Sequence, residues 1–285
     1  MIRFGGTVTL NGLVVYVANN FEKILLGRYW GVDALGLYGR AYQLVNIPTD
    51  NINSSVGEVA FSALSRLQDD PPRLKSYFLK GYSLVLALTL PITTACVLFA
   101  DDIVVVLLGP KWKDTAAIFR FLGPTIMVFA IANPLSWLLS SIGWVGRNLK
   151  IALVIAPTMM AGFVIAMPYG PRGVAFAYSA VLSLWLLPLI AWCVRGTVVS
   201  FWDILLTVSR PLVSSVVAGA LAFGLRSIYG PALSPFPRLA IESTVLLLTF
   251  LGILLFVTGQ KAFYLNLVRG LTKREAPEES ALVSV

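Results

Sequence analysis

Hydrophobic residues fall in long runs separated by short polar segments. A helix crosses the hydrocarbon core of a bilayer with roughly 20 predominantly apolar residues. The pattern therefore predicts eight membrane-spanning helices, at 5–27, 34–60, 81–100, 117–144, 150–168, 173–194, 211–229 and 239–258. Runs of this length exclude a membrane β-barrel, whose strands are short and alternate in polarity. We expect an all-α integral membrane protein.

The second predicted helix has the weakest hydrophobic signal. It contains Asn46, Pro48, Asp50, Asn51, Asn53 and Glu58. We retain it because polar residues are tolerated at membrane depth where they line a cavity, and because the charge distribution requires an even number of spans. The segments between spans are interpreted as a polar turn at 66–79, an external hairpin or interfacial segment at 101–114, and an amphipathic surface helix at 195–210.

The distribution of lysine and arginine predicts the orientation in the membrane. If both termini are cytoplasmic, thirteen Lys and Arg residues lie inside and six outside, which agrees with the positive-inside rule. The net charge of +8 is therefore interpreted as a topology signal, and no nucleic-acid partner is expected. We expect no cleavable signal peptide, because the first apolar run continues into polar residues.

The composition excludes several kinds of chemistry. The chain contains no histidine, which removes histidine-based catalysis and histidine metal sites. Cys96 and Cys193 both lie in apolar runs and are expected to pack as small hydrophobic residues. No loop is long enough for a separate catalytic domain. We therefore expect a protein that is not an enzyme and that has neither a metal site nor a cofactor.

Ionisable residues inside the first two spans are the candidate functional residues. Charges at membrane depth usually face a water-filled cavity or each other. Glu22 and Lys23 are either a cavity-lining pair or residues that extend to the interface. Arg40 is either a cavity clamp for phosphate or a contact for ordinary headgroups. Arg28 lies at the turn between the spans and is the weaker candidate.

The second span supplies the remaining candidates. Tyr42 lies beside Arg40, and Asp50, Asn53 and Glu58 make much of the span hydrophilic. One interpretation is the wall of an aqueous vestibule suited to sugar hydroxyls. The alternative is a helix that lies partly outside the membrane.

Specific sequence runs suggest a family. The run YVANNFEKILLGRYWGVDALGLYGRAYQLVNIP, followed by FSALSRLQDDPPRLKSYF, resembles bacterial polysaccharide biosynthesis proteins. These are the lipopolysaccharide and exopolysaccharide flippases of the multidrug/oligosaccharidyl-lipid/polysaccharide exporter superfamily. LLGPKW and SSIGWVGR fit the same pattern. The family usually has Asp where this chain has Glu22, and its members are about twice as long, with two six-helix lobes.

The resemblance implies a domain organisation and a function. Residues 1–194 would form the second six-helix transporter lobe, 195–210 a linker helix, 211–258 two extra C-terminal helices, and 259–285 a cytoplasmic tail. The expected function is export of an undecaprenyl-pyrophosphate-linked oligosaccharide across the bacterial inner membrane by alternating access. Arg40, with Lys23 and Arg28, would contact the pyrophosphate, and Glu22 would couple transport to a proton or sodium gradient.

Several alternatives stay open at the level of sequence. The chain could be a drug or cation antiporter of the same superfamily, a membrane polymerase or glycosyltransferase, or a truncated subunit that does not transport. The expected partners are a lipid-linked oligosaccharide, membrane lipids, and either a missing N-terminal lobe or a second copy. The glycan and the coupling ion are not specified by these residues.

Overall fold

The computed structural model describes residues 2–229, 233–261 and 264, and this part of the chain is helical, without β-strands. Short 3-10 turns at Pro110–Trp112 and Met167–Tyr169 and a π-helical turn at Ile253–Val257 complete the elements. The α-helices, in chain order, are α1 (Ile2–Arg66), α2 (Pro71–Leu98), α3 (Ala100–Leu108), α4 (Thr115–Leu122), α5 (Pro124–Ser141), α6 (Val145–Ala166), α7 (Gly170–Val194), α8 (Phe201–Tyr229) and α9 (Pro235–Gly252).

Helix α1 is broken at Gly31, which has φ 80° and ψ −176°. This region of backbone space is essentially restricted to glycine, because a side chain would clash with the backbone there. The break divides α1 into a first arm, 2–30, and a second arm, 32–66. These arms correspond to the predicted spans at 5–27 and 34–60, and Gly31 is the turn glycine between them.

Among the described residues, five helical stretches are long and apolar enough to cross a membrane: Pro71–Leu98, Thr115–Ser141, Val145–Val194, Phe201–Ser227 and Pro235–Val257. The third stretch contains both α6 and α7, which are separated by a 3-10 turn. Helix α1 is not among the five, in keeping with the polar residues in both of its arms. The prediction of an all-α, multi-pass membrane protein is confirmed.

Two connections differ from the sequence-based prediction. Helix α2 begins at Pro71, so most of the predicted polar turn at 66–79 is helical. Asp70 caps this helix by accepting a hydrogen bond from the Arg73 backbone N–H at 3.2 Å, and proline is favourable in the first helical turn. The predicted surface helix at 195–210 is also different, because Phe201 begins a helix that continues unbroken to Tyr229.

The core of the bundle consists of two main hydrophobic clusters. One surrounds Tyr38, Phe119 and Phe163, where both arms of α1 pack against α4, α6 and α7. The other surrounds Leu86 and Leu135, where α2 and α5 pack together with the ends of α7 and α8. The two clusters position both arms of α1 against the rest of the bundle.

Helices α8 and α9 pack together, and α8 lies along α2. The Thr94 and Ser215 hydroxyls are 2.7 Å apart, and Lys75 Nζ lies 2.6 Å from Asp203 Oδ2. Gly219 permits the close approach, because a Cβ added there would lie 2.6 Å from Thr94 Cγ2. Small residues allow membrane helices to approach closely in this way.

A buried ion network joins the ends of α8 and α9 to α3. The Asp102 side chain is 2% exposed and accepts hydrogen bonds from Arg238, with Nε at 3.0 Å. Arg226 Nη2 is 3.2 Å from the same carboxylate, and Arg226 Nη1 is 3.6 Å from Glu242 Oε2. Arg226 and Glu242 are thus structural ion-pairing residues.

Candidate functional site

The break at Gly31 folds the first arm of α1 back beside the second. Glu22 and Arg40 each lie nine residues from Gly31, which corresponds to about 13 Å along a helix axis. Gly27 lies where the arms approach closely, because a Cβ added to it would be 3.3 Å from Leu35 Cδ2. Trp30 holds the turn against the rest of the bundle by donating its indole N–H to the Met167 carbonyl at 2.9 Å. Glu22 and Arg40 therefore lie at similar distances from the turn, each on its own arm.

Glu22 is completely buried. Its side chain has no exposed surface, and neither carboxylate oxygen has a hydrogen-bond partner in the part of the chain that the structure describes. Lys23 Nζ donates to Asn20 Oδ1 at 3.1 Å and lies 4.2 Å from the Tyr42 ring centroid. A buried carboxyl group without a partner is costly, so this residue is a candidate for a functional role.

Three tyrosines surround Glu22 and come from distant parts of the chain. The hydroxyls of Tyr38, Tyr42 and Tyr178 all lie within electrostatic range of the carboxylate. The Tyr38 and Tyr42 rings stack with centroids 6.3 Å apart, and Tyr178 meets Tyr42 edge-on at 6.2 Å. The Tyr178 hydroxyl also donates to Asn19 Oδ1 at 3.4 Å. Glu22 therefore lies in a buried, tyrosine-rich part of the bundle, where neither its carboxylate oxygens nor the Tyr38 hydroxyl has a hydrogen-bond partner among the described residues.

Arg28 and Arg40 are exposed on the surface of α1. Arg40 Nη1 donates to Gln43 Oε1 at 3.1 Å, and its guanidinium carbon lies 5.4 Å from the Trp112 ring centroid. Within the described residues, neither arginine nor Lys23 forms an ion pair. By contrast, several other arginines contact carboxylates, namely Arg73, Arg120, Arg172, Arg226 and Arg238. The cations near Gly31 are thus available to an anion from outside the chain.

The predicted polar wall of the second arm is only partly described. Asp50 is exposed, about two and a half turns beyond Tyr42 along the same arm. Asn53 and Glu58 have side chains that lie outside the described residues, so their predicted role stays a prediction. Asp50 lies within electrostatic range of Tyr42, one of the tyrosines near Glu22.

A cavity of about 200 Å³ lies between the first arm of α1 and helices α5, α6 and α7. Most of its lining is apolar, but side-chain amides and one indole also face it: Asn11, Asn19, Asn133, Asn148 and Trp185. Sequence reasoning missed this site. The sequence feature that could have indicated this cavity is the recurrence of asparagine within apolar spans, because a buried amide needs a hydrogen-bond partner or a cavity.

This arrangement defines a multi-pass helical membrane protein with a buried acid, unpaired cations and an amide-lined cavity. Residues 1–117 match the family described as polysaccharide biosynthesis protein. The chain is 24% identical to the lipopolysaccharide biosynthesis protein WzxC of Escherichia coli over 213 residues, covering 70% of this chain and 43% of that protein. These matches confirm the predicted resemblance of the chain to polysaccharide biosynthesis proteins.

Two further relatives support the same family. The teichuronic acid biosynthesis protein TuaB of Bacillus subtilis is 24% identical over 230 residues, covering 78% of this chain and 46% of that protein. The amylovoran biosynthesis protein AmsL of Erwinia amylovora is 25% identical over 137 residues, covering 48% of this chain and 33% of that protein. The chain thus spans less than half the length of these curated relatives. No solved structure matches it.

Proposed function

We propose that this chain forms one lobe of an exporter that moves an undecaprenyl-pyrophosphate-linked oligosaccharide from the inner to the outer leaflet of the bacterial inner membrane. The export would serve synthesis of lipopolysaccharide, O-antigen or exopolysaccharide. The relatives named for lipopolysaccharide, teichuronic acid and amylovoran synthesis support this role. The helical bundle, with broken α1 and prolines inside several helices, suits alternating access without an enzymatic step.

The observation that carries the proposal is the group of unpaired cations beside the break in α1. Arg28 and Arg40 are exposed, and neither forms an ion pair in the described part of the chain. A pyrophosphate offers oxygens that a guanidinium can bind in a bidentate geometry. We assign Arg40 as the principal pyrophosphate contact, with Lys23 and Arg28 as supporting cations.

The test is Arg40→Gln in the protein's own genetic context. Loss of one charge-assisted contact of roughly 1.5–3 kcal/mol should reduce surface polysaccharide about tenfold or more, with lipid-linked intermediate accumulating inside. The control is Arg73→Gln, because the Arg73 side chain is 74% exposed at the start of α2 and, within the described residues, forms an ion pair with its neighbour Asp70. Normal export by the Arg40 variant, at equal protein abundance, would exclude the assigned role.

We assign Glu22 as the group that couples transport to a proton or sodium gradient. Its complete burial and its position among three tyrosines support this assignment. Glu22→Gln keeps the shape and removes the charge, so export should persist at a low rate that no longer responds to either gradient. The variant's abundance should be equal or higher, because a buried charge without a partner has been removed. An unchanged response to both gradients would contradict the assignment.

We further propose that residues 1–194 form one lobe and that a second lobe, from additional chain or a second copy, completes the transport cavity. Cross-linking in native membranes should then capture a species larger than 30.9 kDa.

We propose that both termini are cytoplasmic. Binding of an antibody to residues 260–285 in inverted vesicles would test this orientation. A drug or cation antiporter would instead move amphipathic cations, and a non-transporting subunit would leave export unchanged when deleted.

A further inference from the structure

We infer that the cavity between α1, α5, α6 and α7 binds a single neutral sugar ring of the substrate. This inference rests on the proposed function and adds a second binding site to it. The unpaired cations near Gly31 would contact the charged part of the substrate, and the cavity would hold its first uncharged ring. The cavity lies on a different part of the first arm, from Asn11 to Asn19, and its near end is about three turns before the break.

The chemistry of the lining favours a neutral polar ligand. The cavity is lined by four asparagines and a serine, and by no charged side chain. Asn148 Nδ2 donates to the Ser136 carbonyl at 3.3 Å and to Ser140 Oγ at 3.2 Å, which fixes the orientation of its amide. The Asn11 side-chain oxygen is buried without a partner among the described residues. An amide oxygen of this kind is an acceptor for a sugar hydroxyl.

The apolar part of the lining fits the same ligand. Trp185 presents an indole, and Phe129 and Met159 also line the cavity. A pyranose has C–H groups that pack against such surfaces while its hydroxyls bind amides. A purely hydrocarbon chain in this place would offer no donor to the Asn11 oxygen, which lacks a partner among the described residues.

The size of the cavity suits one sugar ring. Sites for drug-sized molecules occupy roughly 300–1,000 Å³, whereas this cavity measures about 200 Å³. A single water needs only about one-tenth of that space or less. The cavity is therefore larger than a hydration site and smaller than an oligosaccharide site.

A cysteine placed in the cavity provides the test. In the full chain with Cys96→Ala and Cys193→Ala, Ser136→Cys should react with a small water-soluble thiol reagent. We would add citronellyl pyrophosphate carrying one neutral hexose, glucose or galactose, and compare it with the sugar-free pyrophosphate and with citronellol. Only a hexose-bearing probe should protect the cysteine. Ser76→Cys, exposed near the start of α2, should react equally with and without every probe.

The other outcomes overturn the inference. Equal protection by citronellol or by the sugar-free pyrophosphate would identify the cavity as a lipid-chain site. Reaction without protection by any probe would identify a water-filled space. If the sugar-free pyrophosphate binds the protein in an Arg40-dependent manner while Ser136→Cys stays unprotected by every probe, the proposed function survives and the sugar site does not.

A second variant tests the amide directly. Asn148→Leu should weaken binding of the hexose-bearing probe about tenfold, the effect of losing roughly one hydrogen bond, and should leave the sugar-free probe unchanged. Thr158→Leu is the matched control on the same helix, because Thr158 is exposed and does not line the cavity. Equal affinity of both variants for the hexose-bearing probe would contradict the inference.

Discussion

Removal of the Asp102 carboxylate should loosen the attachment of α8 and α9 to the bundle. Asp102→Ala leaves Arg226 and Arg238 without their shared acceptor in a site where the aspartate side chain was 2% exposed. Breaking a buried ion pair by removing one partner costs about 3–5 kcal/mol, because the remaining charge is left uncompensated.

Two features of the structure place the expected cost at the lower end of this range. The two arginine side chains are 21% and 22% exposed, so water can partly solvate the guanidinium groups after the change. Arg226 also keeps Glu242 at 3.6 Å. We therefore expect a loss of about 3 kcal/mol, which corresponds to a fall in Tm of roughly 6–12 °C.

The assay is thermal unfolding of the purified full chain in one detergent, followed by circular dichroism and by reactivity of the buried cysteines. The control is Asp114→Ala, because Asp114 is 80% exposed and lies 3.9 Å from Arg172. Such a surface pair contributes about 0–1 kcal/mol, so its Tm should fall by less than about 4 °C. If the Asp102→Ala and Asp114→Ala variants have the same Tm, the buried network does not stabilise the attachment of these helices.

Two glycines give further predictions, each measured as a Tm shift in the same assay. Gly31→Ala should destabilise the protein by about 1–3 kcal/mol, because a side chain is not tolerated at φ 80° and ψ −176°. Its control, Gly36→Ala on the second arm, has open space around the added methyl group and should stabilise the protein by about 0.5–1 kcal/mol. Gly219→Ala should cost about 1–3 kcal/mol through overlap with Thr94, and Gly224→Ala, with nothing within 4 Å, should not. Equal shifts within either pair would refute the packing or backbone argument behind it.

The membrane-spanning elements could be predicted from the sequence because hydropathy is a local property. Apolar runs placed the helices α4 to α7 and α9 close to their observed positions, whereas α2 and α8 begin well before the predicted spans. The glycines at the end of the first run indicated a turn, and the structure places it at Gly31. The sequence also contains a helix N-terminus at Asp70 and Pro71, where Asp70 is the cap and Pro71 the first helical residue. This start was not predicted, because the stretch around it is polar and was interpreted as a turn.

The sequence by itself determined that the chain is a helical membrane protein with ionisable residues inside α1, because composition and run length set the environment that each segment can occupy. Only the tertiary structure decided which groups meet. It placed Tyr178 beside Asn19, joined Asp102 to Arg238, and placed Lys23 over the ring of Tyr42. These partners are up to 159 residues apart in the chain, and their meeting depends on how each helix is rotated and packed, which no single span specifies.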